Sequence, residues 1–401
     1  MTVSIPAVTY TDHIWHVDPD GTAGRARRQR ASGPYQSCVP TSLAQLTVSL
    51  PADVAADIDE ASSELAHFDS YVRHLLARQA LALPMASIML RTESASSSQI
   101  EQITVSARQL ALAELSQSMS RNATTVLSNV KAMEEALATD GDLDNEAILH
   151  IHKTLLASQP GWASQTGRYR NQLVWVGSSS LGPLGASHVA PQPELVPRAM
   201  DNLIRFMSRV DLPLIYQIAV SHAQFETIHP FADGNGRTGR ALVHAQLRGS
   251  GLVTHGVAPV SAGILRNTQG YFDALTAYRS GDTLPIIQQF ADASRFAAHS
   301  GRALISDLLE QLEEDQAKMS GLRSHAMAWK VLPWLVARPV MNTASLAEVA
   351  QISATAARRA LDQLTHAGVL TERSGYKRNQ VWHHNGLIQI LDAYAEGLRR
   401  Q

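Results

Sequence analysis

The chain has 401 residues, with 34 Lys and Arg against 36 Asp and Glu, and a formal net charge of −2. That balance gives no global attraction to nucleic acid or to an anionic membrane, and the length suits two or three domains, one with a sizeable core. A single cysteine, Cys38, excludes an internal disulfide and is compatible with a reducing cytoplasm.

No long uncharged apolar stretch and no basic start followed by an apolar segment is visible, so neither a membrane span nor a leader is expected, and the location expected is cytoplasmic. Aromatic residues make up 5% and Ala and Leu are frequent, which predicts a mostly α protein. In chain order, residues 1 to about 34 read as an extension or irregular strand segment. Its basic run, Arg25, Arg27, Arg28 and Arg30, is a solvated face rather than a nucleic-acid patch. Gly33 to Pro40 is extended. Pro51 to Leu83 is helical, with Asp53, Asp57, Asp59 and Glu60 in early turns, where the helix dipole favours them. Met85 to Ile103 places Met85, Ile88, Met89, Ile100 and Ile103 at helical spacing, and Ser97 and Glu101 share a face.

Three further helices follow over residues 104–157, the last two separated by a turn at Gly141–Asp142. His150 and His152 alternate and do not share a helix face, so they read as one core-edge and one surface histidine, not a metal pair. The texture changes at Gly167. Leu173 to Val176 is β-rich and is followed by Gly, Ser and Pro and then SHVAP, a β-hairpin with a mobile tip. Helix resumes from Val196 to Val210.

The richest stretch is HPFADGNGRTGR, His229 to Arg240. Before it, Ile215, Ile218, Ala219, Phe225 and Ile228 fit a buried helix, and Pro230 forbids easy continuation, so His229 is delivered at a helix end. Gly234 and Gly236 bracket Asn235 in a loop able to take positive φ, and a second helix starts near Arg237 or Thr238 and stops at Gly249. Loop N–H groups and the positive end of the second helix suit an anion, with Arg237 and Arg240 offering donor forks to phosphate. Asp233 beside phosphate calls for a divalent cation such as Mg²⁺ between them. His229 is the group able to take a proton near neutral pH.

Beyond the motif, Tyr271, Phe272 and Leu275 are spaced as a core-packing helical face, and His222 has a core or supporting role. A charged helical arm runs from Ala297 to Met327. Ser345 to Gln351, the Ile352–Ser353 turn, a second helix capped by Ser353 and ended by Gly368, and a two-stranded hairpin follow in a winged-helix pattern. Arg358 and Arg359, with Lys377 and Arg378 at the wing tip, are few for operator binding, and contact with protein or a second copy of the chain is favoured over DNA.

HPFADGNGRTGR resembles the Fic (fido-domain) pattern H-x-F-x-D/E-G-N-G-R-x-x-R at every defined position. The resemblance implies a helical Fic core with a β-hairpin flap, and transfer of AMP from ATP, with Mg²⁺, to a Ser, Thr or Tyr hydroxyl of a target protein, which can be the chain itself. It implies that His229 deprotonates that hydroxyl, that Phe231 packs in the core, and that Asp233 holds Mg²⁺ against the α- and β-phosphates. Gly234, Asn235 and Gly236 would cradle phosphates, Arg237 and Arg240 would neutralise the triphosphate tail, and Thr238 and Gly239 complete the nucleotide-binding run. In the same family a hairpin flap registers the target main chain, which implicates Val174, Trp175, Val176 and Gly177.

Glu93, Ser97, Ser98, Ile100 and Glu101 are similar to the E-x-x-x-S-S-x-I-E run of Fic proteins with an inhibitory helix. The resemblance implies that Glu101 pairs with Arg240 in place of the γ-phosphate. Gln102 departs from the usual Gly or Asn. The expected organisation is an extension over residues 1–34, a helical region with the inhibitory helix over 35–110, a catalytic core over 111–296, a linker helix over 297–327 and a winged helix over 328–401. Two other readings use the same residues. In one, Glu101 aligns a water that removes AMP from a modified target. In the other, the winged helix is a DNA-binding regulator and the core a nucleotide sensor, against which an intact His229 and Asp233 count.

Overall fold

The computed structural model describes residues 3–18, 24–78, 81–118, 120–139, 143–159, 161–177, 180–373 and 380–398. The expected Gly141–Asp142 turn and the wing-tip residues Lys377 and Arg378 lie outside the described residues. The chain begins with β1 (Thr9–Trp15), α1 (Arg25–Ala31), β2 (Gly33–Val39), α2 (Ala52–Arg78), α3 (Ala82–Ile100), α4 (Ala107–Glu114) and α5 (Arg121–Ala138). Next come α6 (Asn145–Leu156), β3 (Trp175–Val176), β4 (His188–Val189), α7 (Val196–Met207), α8 (Leu214–Ile228) and α9 (Asn235–Gly249). It continues through α10 (Val260–Leu265), α11 (Thr268–Arg279), α12 (Leu284–Lys318), α13 (Met327–Ala337), β5 (Val340–Met341) and α14 (Thr343–Val349). It closes with α15 (Ala354–His366), β6 (Thr371–Glu372), β7 (Trp382–His383) and α16 (Asn385–Gly397). The fold is mostly α with small sheets. No described helix is long and apolar enough to cross a membrane.

Contacts divide the chain into two compact units. The first comprises Met1–Glu60, Glu135–Ser250 and Thr268–Ala291. Its axis is α8, in which every residue from Ile215 to Ile228 is buried. A helix buried all round belongs in a core, and α7, α9 and α11 pack on it. Several of its polar side chains are matched by partners of their own. Gln217 Nε2 donates to the carbonyls of Phe206, Met207 and Arg209 at 2.8–2.9 Å, satisfying the end of α7. Tyr278 donates to Gln224 Oε1 at 2.7 Å. Two antiparallel ribbons flank this core: β1 pairs β2 from Thr9↔Val39 to Trp15↔Gly33, and β3 pairs β4.

The second unit comprises Ala61–Glu134, Gly251–Asn267 and Asp292–Gln401. Here α3 packs with α10, α13 and α16. Thr92, Glu93, Ser94, Ser96, Ser97 and Ser98 of α3 are all buried. Fully buried Glu93 accepts the Ser261 N–H at 3.0 Å and the Ser261 hydroxyl, next to the N-terminus of α10, where a carboxylate is favoured. Asn129 Nδ2 donates to the Ser94 carbonyl at 2.9 Å and to Ser98 Oγ at 3.2 Å. The helix ends at Glu101. Gln102 turns left-handed (φ 63°), its N–H reaches the Gln99 carbonyl at 2.8 Å, and Ile103 N–H reaches Ser98 at 3.1 Å. These are the two bonds of a Schellman ending, whose left-handed residue is usually Gly or Asn. Farther on, α13, α14 and α15 pack together beside the antiparallel sheet β5-β7-β6. Ser353 accepts the Ala356 N–H and Gly368 (φ 76°) follows α15, the cap and stop expected.

The structure corrects several local expectations. The N-terminal stretch is not irregular: β1 is a paired strand and the basic run is the helix α1, with no buried residue. Arg, Ala and Gln are all good helix formers. The motif's second helix starts at Asn235, so Gly236 lies in its first turn and only Gly234 of the two glycines takes positive φ (77°). That helix runs through Gly249, and the left-handed glycine is Gly251 (φ 78°). Phe272 is 45% exposed, off the face that buries Tyr271 and Leu275. His152 is fully buried rather than core-edge.

Candidate active site

His229 caps α8 in the left-handed conformation (φ 48°, ψ 60°). Right-handed helical geometry is disfavoured before Pro230, and a non-glycine residue held left-handed costs about 1–2 kcal/mol. Surrounding bonds hold it there. His229 N–H donates to the Phe225 carbonyl at 2.8 Å, Arg170 Nε donates to the His229 carbonyl at 2.8 Å, and Arg170 N–H reaches the Pro230 carbonyl at 3.0 Å. The imidazole is 21% exposed, and its Nδ1 lies 3.4 Å from the Glu226 carbonyl and 3.7 Å from Glu226 Oε2.

The loop that follows is closed by its own side chains. Phe231 is fully buried and stacks on His152, with ring centroids 3.7 Å apart and planes 4° from parallel. The Asn235 carboxamide accepts the Phe231 N–H and donates to the Phe231 carbonyl, both at 2.9 Å. Its side chain thereby staples the turn at the start of α9, and a helix N-terminus is in general a position that favours an anion. His152 accepts the Gly167 N–H at Nδ1, so Nε2 carries the hydrogen and donates to the Asp233 carbonyl at 3.1 Å. Burial pushes the His152 pKa down to about 4. Gly234 takes positive φ, which favours glycine, and a Cβ there would stand 2.9 Å from the Leu155 side chain.

On α9 the charged side chains lie deep. Arg237 and Arg240 are each 2% exposed, and Arg237 Nη2 lies 3.4 Å from the partly exposed Asp233 carboxylate. Thr238 is fully buried, and a Cβ on Gly239 would meet Phe225, Glu226 and His222 of α8 at 3.0–3.2 Å. His222 is buried, hydrogen-bonded to the Tyr271 hydroxyl at 2.8 Å, and pushed down to about 3 by burial and then by Arg240. Two guanidiniums, a helix N-terminus and one part-exposed carboxylate make a donor set that fits a polyphosphate with a divalent cation.

The expected hairpin is present as β3 and β4. The Ser187 N–H donates to Val176 at 2.8 Å and the Ala190 N–H to Val174 at 3.1 Å. Gly177 takes φ 86°, where a Cβ would meet Ser187 Oγ at 2.7 Å. Val176 is 41% exposed, and Trp175 stands edge-on to Trp15 of β1 at 5.3 Å. Two residues that sequence reasoning gave no role tie the flap to the end of α8. Arg170 Nη1 donates to the Gln172 carbonyl at 2.8 Å, and its Nη2 to those of Pro191 at 2.7 Å and Ile228 at 3.3 Å. His188 Nε2 donates to the Thr227 carbonyl at 2.9 Å. Of the two expected inhibitory residues, Ser97 is buried within α3 and Glu101 is its C-cap, both in the second unit.

Residues 142–247 match the family model described as the Fic/DOC family, so the chain carries a Fic domain. It is 32% identical over 146 residues to a protein adenylyltransferase Fic of Nematostella vectensis, a match spanning 35% of this chain and 30% of that protein. A Drosophila melanogaster protein of the same name is 25% identical over 186 residues, 46% of this chain and 34% of its own length. The chain thus spans about a third of the curated relatives it matches. Among solved structures, a Fic family protein from Desulfovibrio desulfuricans shares the fold, with a TM-score of 0.55 and 20% identity over 85% of this chain and 98% of that one.

Proposed function

We propose that this protein transfers AMP from ATP to a Ser, Thr or Tyr hydroxyl of a protein target. The observation that carries the reading is the junction of α8 and α9. It sets a histidine on a left-handed helix end directly before a tight turn and a helix start bearing two buried arginines. His229 takes the hydroxyl proton on its imidazole. The freed oxygen attacks the α-phosphorus and the bond to pyrophosphate breaks. Arg237 and Arg240, with the N–H groups of the first turn of α9, hold the polyphosphate. Asp233 would hold Mg²⁺, which would supply charge neutralisation for the polyphosphate. The flap offers Val174 to Gly177 as an edge for the target main chain. His229→Ala tests the reading: transfer should be lost while ATP binding, followed by calorimetry, stays within about twofold. Retained transfer would remove histidine from the mechanism.

The same reading includes inhibition from within the chain. Glu101 takes the place of the γ-phosphate and pairs with Arg240, since a carboxylate offers an arginine fork the same acceptor geometry as a phosphate oxygen. Supporting it are the Glu93-to-Glu101 sequence and the firm ending of α3, which fixes Glu101 at the helix terminus despite Gln102.

For the C-terminal residues we propose a winged helix on the order helix, strand, helix, helix, hairpin from α13 to β7. Arg358 is engaged at home, 3.0 Å from Asp362 and 4.9 Å over the Trp382 ring. That favours contact with protein, including a second copy of the chain, over operator DNA, and the cytoplasm remains the proposed location.

A further inference from the structure

We propose that Glu226 is a positioning residue for His229, holding the ring with its hydrogen on Nδ1 and stabilising the imidazolium formed when Nε2 takes a proton. The inference rests on the AMP-transfer reading for the origin of that proton; the coupling of the two side chains does not. Glu226 stands three residues before His229, on the same face of the last turn of α8. Nδ1 faces two oxygens of this one residue, the main-chain carbonyl at 3.4 Å and carboxylate Oε2 at 3.7 Å. Both oxygens accept, so the hydrogen belongs on Nδ1 and the lone pair of Nε2 is left for the substrate. The carboxylate distance is that of an ion pair rather than of a formed hydrogen bond, and it shortens as positive charge develops on the ring.

Glu226 is 9% exposed, and a carboxylate in such a place is costly unless it is used. The fold makes room for it. Gly239 of α9 lies where a Cβ would stand 3.1 Å from Glu226 Oε1, as well as 3.0 Å from the Phe225 ring and 3.2 Å from His222 Cε1. The surroundings also explain why a negative charge is needed. Arg170 bonds the His229 carbonyl, Arg279 of α11 lies within electrostatic range of Glu226, and α9 brings Arg237 and Arg240. Positive charge close to an imidazole disfavours its protonation. His188 of β4, which feels His229, is held neutral by burial and adds none at neutral pH, and His222 is likewise neutral. Glu226 offsets the cations and keeps His229 basic enough to act.

The test uses the full chain carrying Glu101→Gly, with Glu226→Gln and Glu226→Leu added. Ring ¹⁵N signals of His229, assigned by their loss in His229→Gln, are followed against pH, and thermal melting checks that each variant is folded. The expected result for Glu226→Gln is a His229 midpoint about one pH unit lower. Its kcat should fall about tenfold with the KM for ATP unchanged, because the charge is lost and the shape kept. Glu226→Leu should also admit the Nε2–H tautomer. An unchanged midpoint and an unchanged Nδ1–H tautomer in both folded variants would overturn the proposal. Absence of AMP transfer in the parent would instead remove the AMP-transfer reading, with the ring titration still deciding the Glu226–His229 coupling.

Discussion

The guanidinium of Arg170 donates to four main-chain carbonyls, those of Gln172, Pro191, Ile228 and His229, from a position 3% exposed. Burial pushes its pKa down to about 10, leaving it cationic at neutral pH. A planar fork serves these oxygens; a lysine ammonium reaches fewer of them. Arg170→Lys is expected to destabilise the protein by about 3 kcal/mol through unsatisfied buried carbonyls, read as a lower urea midpoint, and an unshifted midpoint would contradict this. Its local sequence does not reveal these partners. Two of its partners lie 58 and 59 positions away, so its role exists only in the folded chain. The residues from His229 to Arg240 were legible because their chemistry is packed into twelve consecutive positions, although the stapling role of Asn235 was not. Glu226 left one readable trace, its three-residue spacing from His229.

Among the elements, α3 shows a departure with a physical account. The position after Glu101 must be left-handed to close the helix, which is why Gly or Asn suits it, and Gln102 adopts that conformation at a cost. Gln102→Gly should therefore raise stability by about 1 kcal/mol, measured by thermal or denaturant unfolding; a loss of stability would show that the Gln102 side chain contributes more than its backbone costs. The positions of α8, the flap and the helices from α4 to α6 followed from apolar spacing and turn residues. The start of α9 did not, because an asparagine between glycines reads as loop until its carboxamide is seen closing on Phe231. Likewise α1 was missed because a run of arginines carries no apolar period.

For the whole molecule, buried histidines contribute to the response to acid. His152 and His383 are pushed down to about 4, and His188 and His222 to about 3, each chiefly by burial. Their folded pKa values lie below the unfolded value near 6.5. Between those limits the unfolded chain binds more protons, so stability falls as pH drops below about 6.5. Each of the four contributes up to about 1.4 kcal/mol per pH unit to that slope. Melting temperature should be nearly level above pH 7 and fall steeply from pH 6.5 to 5; a flat profile would mean these imidazoles are protonated in the folded chain. The division into two units with interleaved segments was not legible, since it depends on long-range packing that no local pattern records.

The proposed AMP transferase is restrained by its own Glu101. The most direct measurement is incorporation of label from α-³²P-ATP, with Mg²⁺ alone and with cell lysate, by the wild type, Glu101→Gly and Glu101→Gly/His229→Ala. Label on a protein band that rises at least about tenfold with Glu101→Gly, the expectation for removing a charge-assisted pair from the site, and vanishes with His229→Ala is the predicted result. Equal labelling by all three proteins, or none by any, would contradict it.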